Sequence, residues 1–408
     1  MHVLELSYMY PSPRHPTAGV FVEDQVRALA RDVEVDVVSP VPWAPRVLWP
    51  LSPRWRAYGR QPRRQQRAGI AVHHPRYLQP VGQWSIPFAG VSMALAARAR
   101  VRALDATHAV DVLHVHQLVP DGLAGVLLGR WLGCPVVCTL HGSDVTEVPF
   151  HDPMARVAAR RVVRDAAAFV AVAPFLVEHL TRLGPVRGAV HVVPNGVDTE
   201  RFRPVERNEA RRALDLPDEG PVIVQAGLLI PRKGVDVLIH AFARLLAGKP
   251  AALLLLVGGS DERDDQRPDL ERLADGLGCR DRVRFVGRRP HDELPLWFSA
   301  ADVVALASRL EGFPTVVREA IACGTPCVTT ALPGLADEIG LASGVECGLV
   351  VPPDDPAALA AALAAALERC WNRTALVRRA ERWSWKRNAA AMVRIFAEAI
   401  RSRPRVAA

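Results

Sequence analysis

Short apolar runs alternate with stretches of helical spacing from one end of the chain to the other, and this alternation predicts parallel sheets covered by helices on both faces. In the first half, Val3–Ser7, Val33–Ser39, Ile70–His74, Val112–His116, Val136–Leu140, Phe169–Val172 and Val190–Val193 read as strands. In the second half the runs are Val222–Ala226, Leu253–Val257, Val283–Val286, Val303–Leu306, Cys327–Thr329 and Leu349–Val351. Each set suffices for a doubly wound sheet of its own. Between them, Pro194–Pro217 holds several prolines, Asn195-Gly196 and mixed charge, which predicts a hinge near residues 196–206. The domains expected are therefore 1–200 and 206–385. A last helix over about Lys386–Ile400 carries Met392, Ile395, Phe396 and Ile400 at helical spacing, and segment 386–402 is able to complete the first domain.

Length agrees with two cores, since 408 residues exceed the roughly 250 to 300 that one core holds. Half the residues are apolar and 23% are charged, with no low-complexity tract, so the whole chain is expected to be globular. The start, Met1-His2-Val3-Leu4-Glu5, has neither the basic flank nor the apolar stretch of a secretion signal. The longest apolar run, Pro356–Leu367, falls short of the roughly 20 residues that cross a bilayer. A cytoplasmic protein, soluble or peripheral on the inner face of the membrane, is the expectation. Seven cysteines include no C-x-x-C pair and read as buried thiols. The net charge of +8 favours an anionic partner.

Three stretches carry candidate chemistry. After the strand ending at Ala226 comes Gly227, then a loop closing on Arg232-Lys233-Gly234, and then an amphipathic helix with Val235, Leu238, Ile239, Phe242, Leu245 and Leu246 on one face. Cations and a glycine at a helix N-terminus suit an anion, because free amides and the helix dipole already favour negative charge there. Further on, Pro314 suits the first position of a short helix over about Pro314–Cys323, with Gly324 just past its end. Glu319 then lies on that helix and Glu311 in the loop before it, with the amides of Phe313, Thr315 and Val316 between them. Two carboxylates flanking free amides can hold hydroxyls at both ends of a diphosphate while the amides hold the phosphates.

The third stretch, Trp43–Arg67, has seven arginines, no acid, and Trp43, Trp49, Trp55 and Tyr58. It suits an anionic membrane surface or a lipid-phosphate acceptor; a solvated loop and nucleic acid fit the same composition. No metal-ligand spacing is present, and Asp261, Asp264 and Asp265 read as charges of a polar loop. Val257-Gly258-Gly259-Ser260 follows a strand but lacks the dinucleotide fingerprint.

The E-x7-E motif Glu311 to Glu319 with its continuation to Gly324-Thr325-Pro326, the Arg232-Lys233-Gly234 loop, and Pro194-Asn195-Gly196-Val197-Asp198 before Phe202 together resemble the retaining glycosyltransferases of family 4. The resemblance spans nearly the whole chain. Through His15–Val22 and Pro75-Arg76-Tyr77 it leans toward enzymes of bacterial cell-surface polysaccharide assembly of the teichuronic-acid type. It implies a GT-B fold, α/β with two Rossmann-like doubly wound domains facing across a cleft, the acceptor on the N-terminal side and the nucleotide-sugar on the C-terminal side. It further implies Lys233 on the donor diphosphate, Glu319 on the ribose hydroxyls, Glu311 on the transferred sugar, and His141 facing that sugar. Gly19, Arg232, Gly312, Phe313, Pro314 and Thr315 complete the expected donor contacts. The partners implied are a nucleotide-diphosphate-sugar and a sugar or lipid-linked acceptor. Nucleic acid is not expected, nor is a cofactor or metal. Where the family commonly has arginine, position 228 is leucine, so Arg232 is the candidate to replace that phosphate contact. This departure motivates the alternative of a catalytically weak nucleotide-sugar-binding subunit of another transferase.

Overall fold

The computed structural model describes residues 1–12, 19–79, 85–259, 266–311, 314–333, 335 and 346–402, apart from the side chains of Leu48, Trp49, Leu51, Arg54 and Ser85. Contacts divide the chain into two units, Met1–Gly196 with Trp385–Ala408, and Val197–Ser384. The boundary between them, Gly196 to Val197, falls at the start of the segment expected to be a hinge, and the rest of that segment is built into the second unit. The Asp198 carboxylate accepts the amides of Glu200 and Arg201, and the turn so formed drives Phe202, 1% exposed, against Phe298.

The first unit holds ten strands: β1 (His2–Leu6), β2 (Glu34–Val38), β3 (Val41–Pro42), β4 (Arg64–Arg67), β5 (Ile70–His73), β6 (Arg76–Tyr77), β7 (Val112–His116), β8 (Val136–Leu140), β9 (Ala168–Ala171) and β10 (Ala189–Val192). Eight of them form one sheet in the order β10-β9-β8-β7-β1-β2-β5-β4, while β3 and β6 make a separate parallel pair. All neighbours in the large sheet are parallel except β4 against β5. The sequence pattern missed β4, Arg-Gln-Gln-Arg, because a polar edge strand has no apolar face to betray it. The strands β1, β7 and β8 are buried at every position, so apolar residues do not alternate with solvent-facing ones there, and Glu5, His114 and His116 interrupt the apolar runs as buried polar groups.

The helix Trp385–Arg401 belongs to this unit and lays Met392, Ile395, Phe396 and Ala399 on Val3, Val112, Val137 and Val170. At about 1.5 to 3 kcal/mol for each large apolar side chain buried, this face alone explains why the chain returns to its first sheet. A buried Asn388 fixes the register of that return: its amide donates to the Pro194 carbonyl at 2.8 Å, and its oxygen accepts from Gln25 at 2.8 Å.

The second unit holds β11 (Val222–Ala226), β12 (Leu253–Val257), β13 (Val283–Gly287), β14 (Val303–Leu306), β15 (Cys327–Thr330) and β16 (Gly348–Val351). Their order is β13-β12-β11-β14-β15-β16, all parallel, which is the Rossmann arrangement of two halves meeting between the first and fourth strands. Alternation sorts the residues onto two faces: Val222, Val224, Leu255 and Val257 enter one core, Ile223, Leu254 and Leu256 the other. In both units the strand order reverses at one place, between β1 and β7 and between β11 and β14. Loops leaving the carboxyl ends of strands there are where open α/β sheets bind ligands. Among the described residues no helix is long and apolar enough to cross a membrane. The seven cysteines are all free, six buried and Cys370 exposed.

Candidate active site

At the switch point of the second unit, the chain leaves β11 through Gly227, turns through a short helix Pro231–Lys233, and enters the helix Val235–Leu246. Gly234, at φ +59°, makes that entry possible: a Cβ there would lie 2.0 Å from the Ala307 carbonyl oxygen, so only glycine lets the loop rest on the end of β14. The Lys233 ammonium consequently sits 2.5 Å from Glu311 Oε1, which also accepts from Ser308 Oγ at 2.7 Å. Lys233 and Glu311 are 14% and 7% exposed, so the pair is mostly out of water and its charges act at close quarters.

The loop is braced by Arg309, which the sequence reading did not single out. Its guanidinium donates to the Pro231 carbonyl at 2.6 Å, to both oxygens of Asp236 at 3.0 and 2.7 Å, and to Asp354 at 2.7 Å. Its amide donates to the Arg232 carbonyl at 2.8 Å. These bonds, those to Asp236 foremost, raise Arg309 above the usual arginine range. Arg232 itself is exposed, and Leu228 is half-buried.

The helix expected around Glu319 runs Thr315–Ala322, so Pro314 takes the cap position rather than the first helical one, with extended backbone and no side-chain cap. The first amides, those of Thr315 and Val316, precede any partner inside the helix. Gly312 and Phe313, expected beside them, lie outside the described residues, as do His15–Ala18 and Asp261, Asp264 and Asp265. Glu319, 8% exposed, pairs with His291 Nε2 at 2.9 Å. The Arg201 guanidinium donates to His291 Nδ1 at 2.9 Å, which leaves the ring proton on Nε2 facing Glu319. His291 and Arg201 were also missed; they are 90 residues apart, and no local spacing links them to the E-x7-E motif.

The first unit has its own polar cluster at the carboxyl ends of β1, β7 and β8. Glu5, on β1, is fully buried and accepts from His114 Nδ1 at 2.9 Å through one oxygen and from His116 Nε2 at 3.1 Å through the other. These two histidine contacts outweigh burial and hold the Glu5 carboxyl down at about 2, so it is an acceptor only. Burial, helped by His114, pushes His116 down to about 4 and keeps it neutral.

With its one proton on Nε2, His116 offers Nδ1 as an acceptor to His141 Nε2, 3.0 Å away. His141 is likewise held well below the usual histidine range, by burial first and then by the two neighbouring histidines. Its proton is therefore spent on His116, and its buried Nδ1 is a bare acceptor with no partner among the described residues. Phe21 packs on the His141 ring at 4.8 Å, and Asp144 fixes the backbone beneath it by accepting the amides of His141, Gly142 and Leu118. Gly19 adopts φ +63°, and a Cβ there would meet the Met9 carbonyl oxygen at 2.0 Å, so close backbone packing alone demands glycine.

Glu5, His114 and His116 are also the one trio among the described residues whose donor atoms lie near enough to share a metal ion. In this structure each of those atoms is occupied by a hydrogen bond within the cluster, His114 Nε2 by Thr139 Oγ1 at 2.7 Å. His114 and His116 lie two apart on β7, but no sequence spacing announces the trio, because Glu5 comes from a strand more than a hundred residues away.

Comparison with known proteins agrees with this division. Residues 18–201 match the family described as Glycosyltransferase Family 4, and residues 206–383 match Glycosyl transferases group 1. TuaC of Bacillus subtilis (strain 168), named for teichuronic acid biosynthesis, is 29% identical over 368 residues, 89% of this chain and 88% of its own. A D-inositol 3-phosphate glycosyltransferase of Streptosporangium roseum is 34% identical over 307 residues, 71% of this chain and 70% of its own. Among solved structures, sucrose-phosphate synthase from Thermosynechococcus elongatus superposes with a TM-score of 0.79 at 24% identity, over 98% of this chain and 100% of that one. Anabaena HepE in complex with UDP does so with 0.72 at 20% identity, over 98% and 100%. With a donor-type loop and E-x7-E helix at one switch point, a histidine-ended strand at the other, and both family models matched in order, the chain belongs to the family 4 glycosyltransferases of GT-B fold.

Proposed function

We propose that this protein transfers a sugar from a nucleotide-diphosphate-sugar to a lipid-linked or polysaccharide acceptor of the cell envelope, with retention of anomeric configuration and without a metal. The observation that carries the reading is the convergence of Lys233 and Glu311 within 2.5 Å beside the uncapped N-terminus of the Glu319 helix. That arrangement supplies one cation, free amides and two carboxylates, which match a diphosphate flanked by hydroxyl-bearing rings. Lys233 and Arg232 would offset the charge that develops on the leaving diphosphate as the glycosidic bond breaks. A phosphate oxygen of the leaving group then takes the acceptor proton on the same face, giving retention without a protein nucleophile. His141 Nδ1 would accept a hydroxyl of the reacting sugar. The relationship to TuaC supports an envelope polymer as the product. The exposed arginines of the Trp43–Arg67 stretch support a peripheral position on the cytoplasmic leaflet.

The deciding experiment screens the purified chain with UDP-, GDP- and ADP-sugars, with and without chelator, and reads the anomeric configuration of the product by NMR. Retained configuration and chelator-insensitive turnover are expected. An inverted product overturns the mechanism, and turnover abolished by chelator overturns metal independence. Leu228, which removes a phosphate contact, favours one second reading, a nucleotide-sugar-binding subunit of another transferase; turnover by the single chain removes it.

A further inference from the structure

A pocket of about 640 Å³ lies wholly within the first unit, between the carboxyl end of β5 and the second half of the helix Ser85–Thr107. Its chemistry is one-sided. Arg63, Arg76 and Arg100 line it together with Trp43, His73 and His74, and no carboxylate does. Arg76 is held in place by the carbonyls of Tyr58, at 2.7 Å, and Gln61. Arg63 and Arg100 are exposed and make no ion pair among the described residues. Crowding of like charge is felt inside the cluster: burial and then Arg63 lower Arg76, and burial and then Arg100 lower His73.

Two further groups are built for a ligand. His74, 1% exposed, donates Nδ1–H to the Ser39 carbonyl at 2.9 Å, so its Nε2 is a lone-pair acceptor, and that atom is buried without a partner. His73, 4% exposed, has a buried Nδ1 in the same condition. A buried polar atom left unpaired costs about 1 to 3 kcal/mol, so unpaired nitrogens on two residues that line one cationic pocket favour a ligand that pairs them.

We infer that this pocket binds a phosphoryl group carrying a hydroxyl, with anionic oxygens on Arg63, Arg76 and Arg100 and an O–H donated to His74. The inference deepens the proposed transferase reading by naming where the acceptor's phosphate sits. β5 and β8 end on the same edge of the sheet, four places apart in its order. At about 4.8 Å per strand that is about 19 Å from the strand that His141 follows. An acceptor whose phosphate is attached directly to the reacting sugar cannot span this, so the phosphate belongs to a distant part of a longer acceptor. It comes either from a soluble phosphorylated chain or from a lipid headgroup.

The test uses the full chain and the variant R63Q/R100Q, whose replaced side chains are exposed and leave the core untouched. Glycerol 3-phosphate is titrated by calorimetry while the ring signals of His73 and His74, assigned by single substitution, are followed by NMR. Vesicles containing phosphatidic acid are tested by co-sedimentation against phosphatidylserine vesicles of equal charge. Binding of glycerol 3-phosphate that shifts both histidines and weakens at least about tenfold in the variant supports the site with a soluble source. Binding only to phosphatidic acid vesicles, weakened to the same degree, supports it with a lipid source.

Absence of binding in both arms, affinity unchanged in the variant, or equal affinity for phosphatidylserine overturns the proposal. Nucleotide-sugar hydrolysis is recorded in parallel. It is expected to be equal in both proteins, and its absence from wild type removes the transferase reading while leaving the pocket result standing.

Discussion

The two units share a parallel framework and place their chemistry in opposite ways. In the second, no strand carries a buried histidine, carboxylate or cation among the described residues, and the candidate charges Lys233, Arg309, Glu311 and Glu319 come from loops and two short helices. In the first, Glu5, His114 and His116 are part of the strands themselves and have no exposed surface. The charges on connecting segments keep a small exposed surface, 7% for Glu311 and 8% for Glu319. A strand charge has lost its water on folding, so it persists only with its partners fixed, and it acts by orienting a neighbour. The charges of the second unit are therefore set on connecting segments at a switch point, and the first presents a rigid, tautomer-defined edge.

Four measurements sharpen or break that contrast. The largest effect is expected from Lys233→Ala and Glu319→Ala, each lowering kcat/KM about a hundredfold or more in a protein that still folds, with a lowered melting temperature because each change leaves a mostly buried partner, Glu311 or His291, unpaired. Near-normal kinetics in a folded variant would remove the donor site from this loop. Next is Glu5→Gln, whose amide can donate to His116 Nε2, reverse both histidine tautomers and turn His141 Nδ1 into a donor. Steady-state kinetics should show kcat down about tenfold while calorimetry gives the same nucleotide affinity. An equal loss of nucleotide affinity would break the division of labour.

The pH dependence comes third, and it belongs to the first unit. His116 has a folded-state pKa of about 4 against 6.5. Its contribution is intact above 6.5 and is lost as pH falls toward 4, ~2 kcal/mol of it by pH 5. Asp144 works the other way. Burial raises it to about 6 from 3.8, so ionising it opposes folding above pH 6, and that cost is relieved as pH falls through 6 toward 3.8. Asp144→Asn removes the relief. Urea midpoints should show the variant losing ~1 kcal/mol more than wild type between pH 7 and 5; parallel losses would contradict the shift. The smallest effect is expected from Leu228→Arg, a severalfold gain in nucleotide-diphosphate affinity by calorimetry if a guanidinium there reaches phosphate. No gain would mean that Arg232 already serves.

Much of the architecture was legible because strands of a covered parallel sheet are rich in apolar residues, and the thirteen short runs read from the sequence coincide with strands to within a residue or so. The E-x7-E helix and the Lys233 loop were legible for a related reason: a helix start and the charges beside it lie close together in the chain, so a local pattern carries them. The stretch Trp43–Arg67 was legible only as composition. Structure resolves it into a short helix Arg46–Leu51, a helix Pro53–Arg60 and an edge strand, and pairs Arg67 with Glu23 at 2.5 Å, which removes that arginine from any membrane-facing set.

What the sequence determined by itself was the sheet class, the number of domains and the place of the E-x7-E motif on a short helix after a loop, each read from spacing along the backbone. What only the tertiary structure decided was which distant residues meet: Glu5 with His114 and His116, His291 with Arg201 and Glu319, Arg309 with Asp236 and Asp354, Arg63 with Arg76. Strand order sets those meetings. Neighbours in a parallel sheet are joined by crossovers of many residues, so the spacing between their side chains in space leaves no trace in their spacing along the chain.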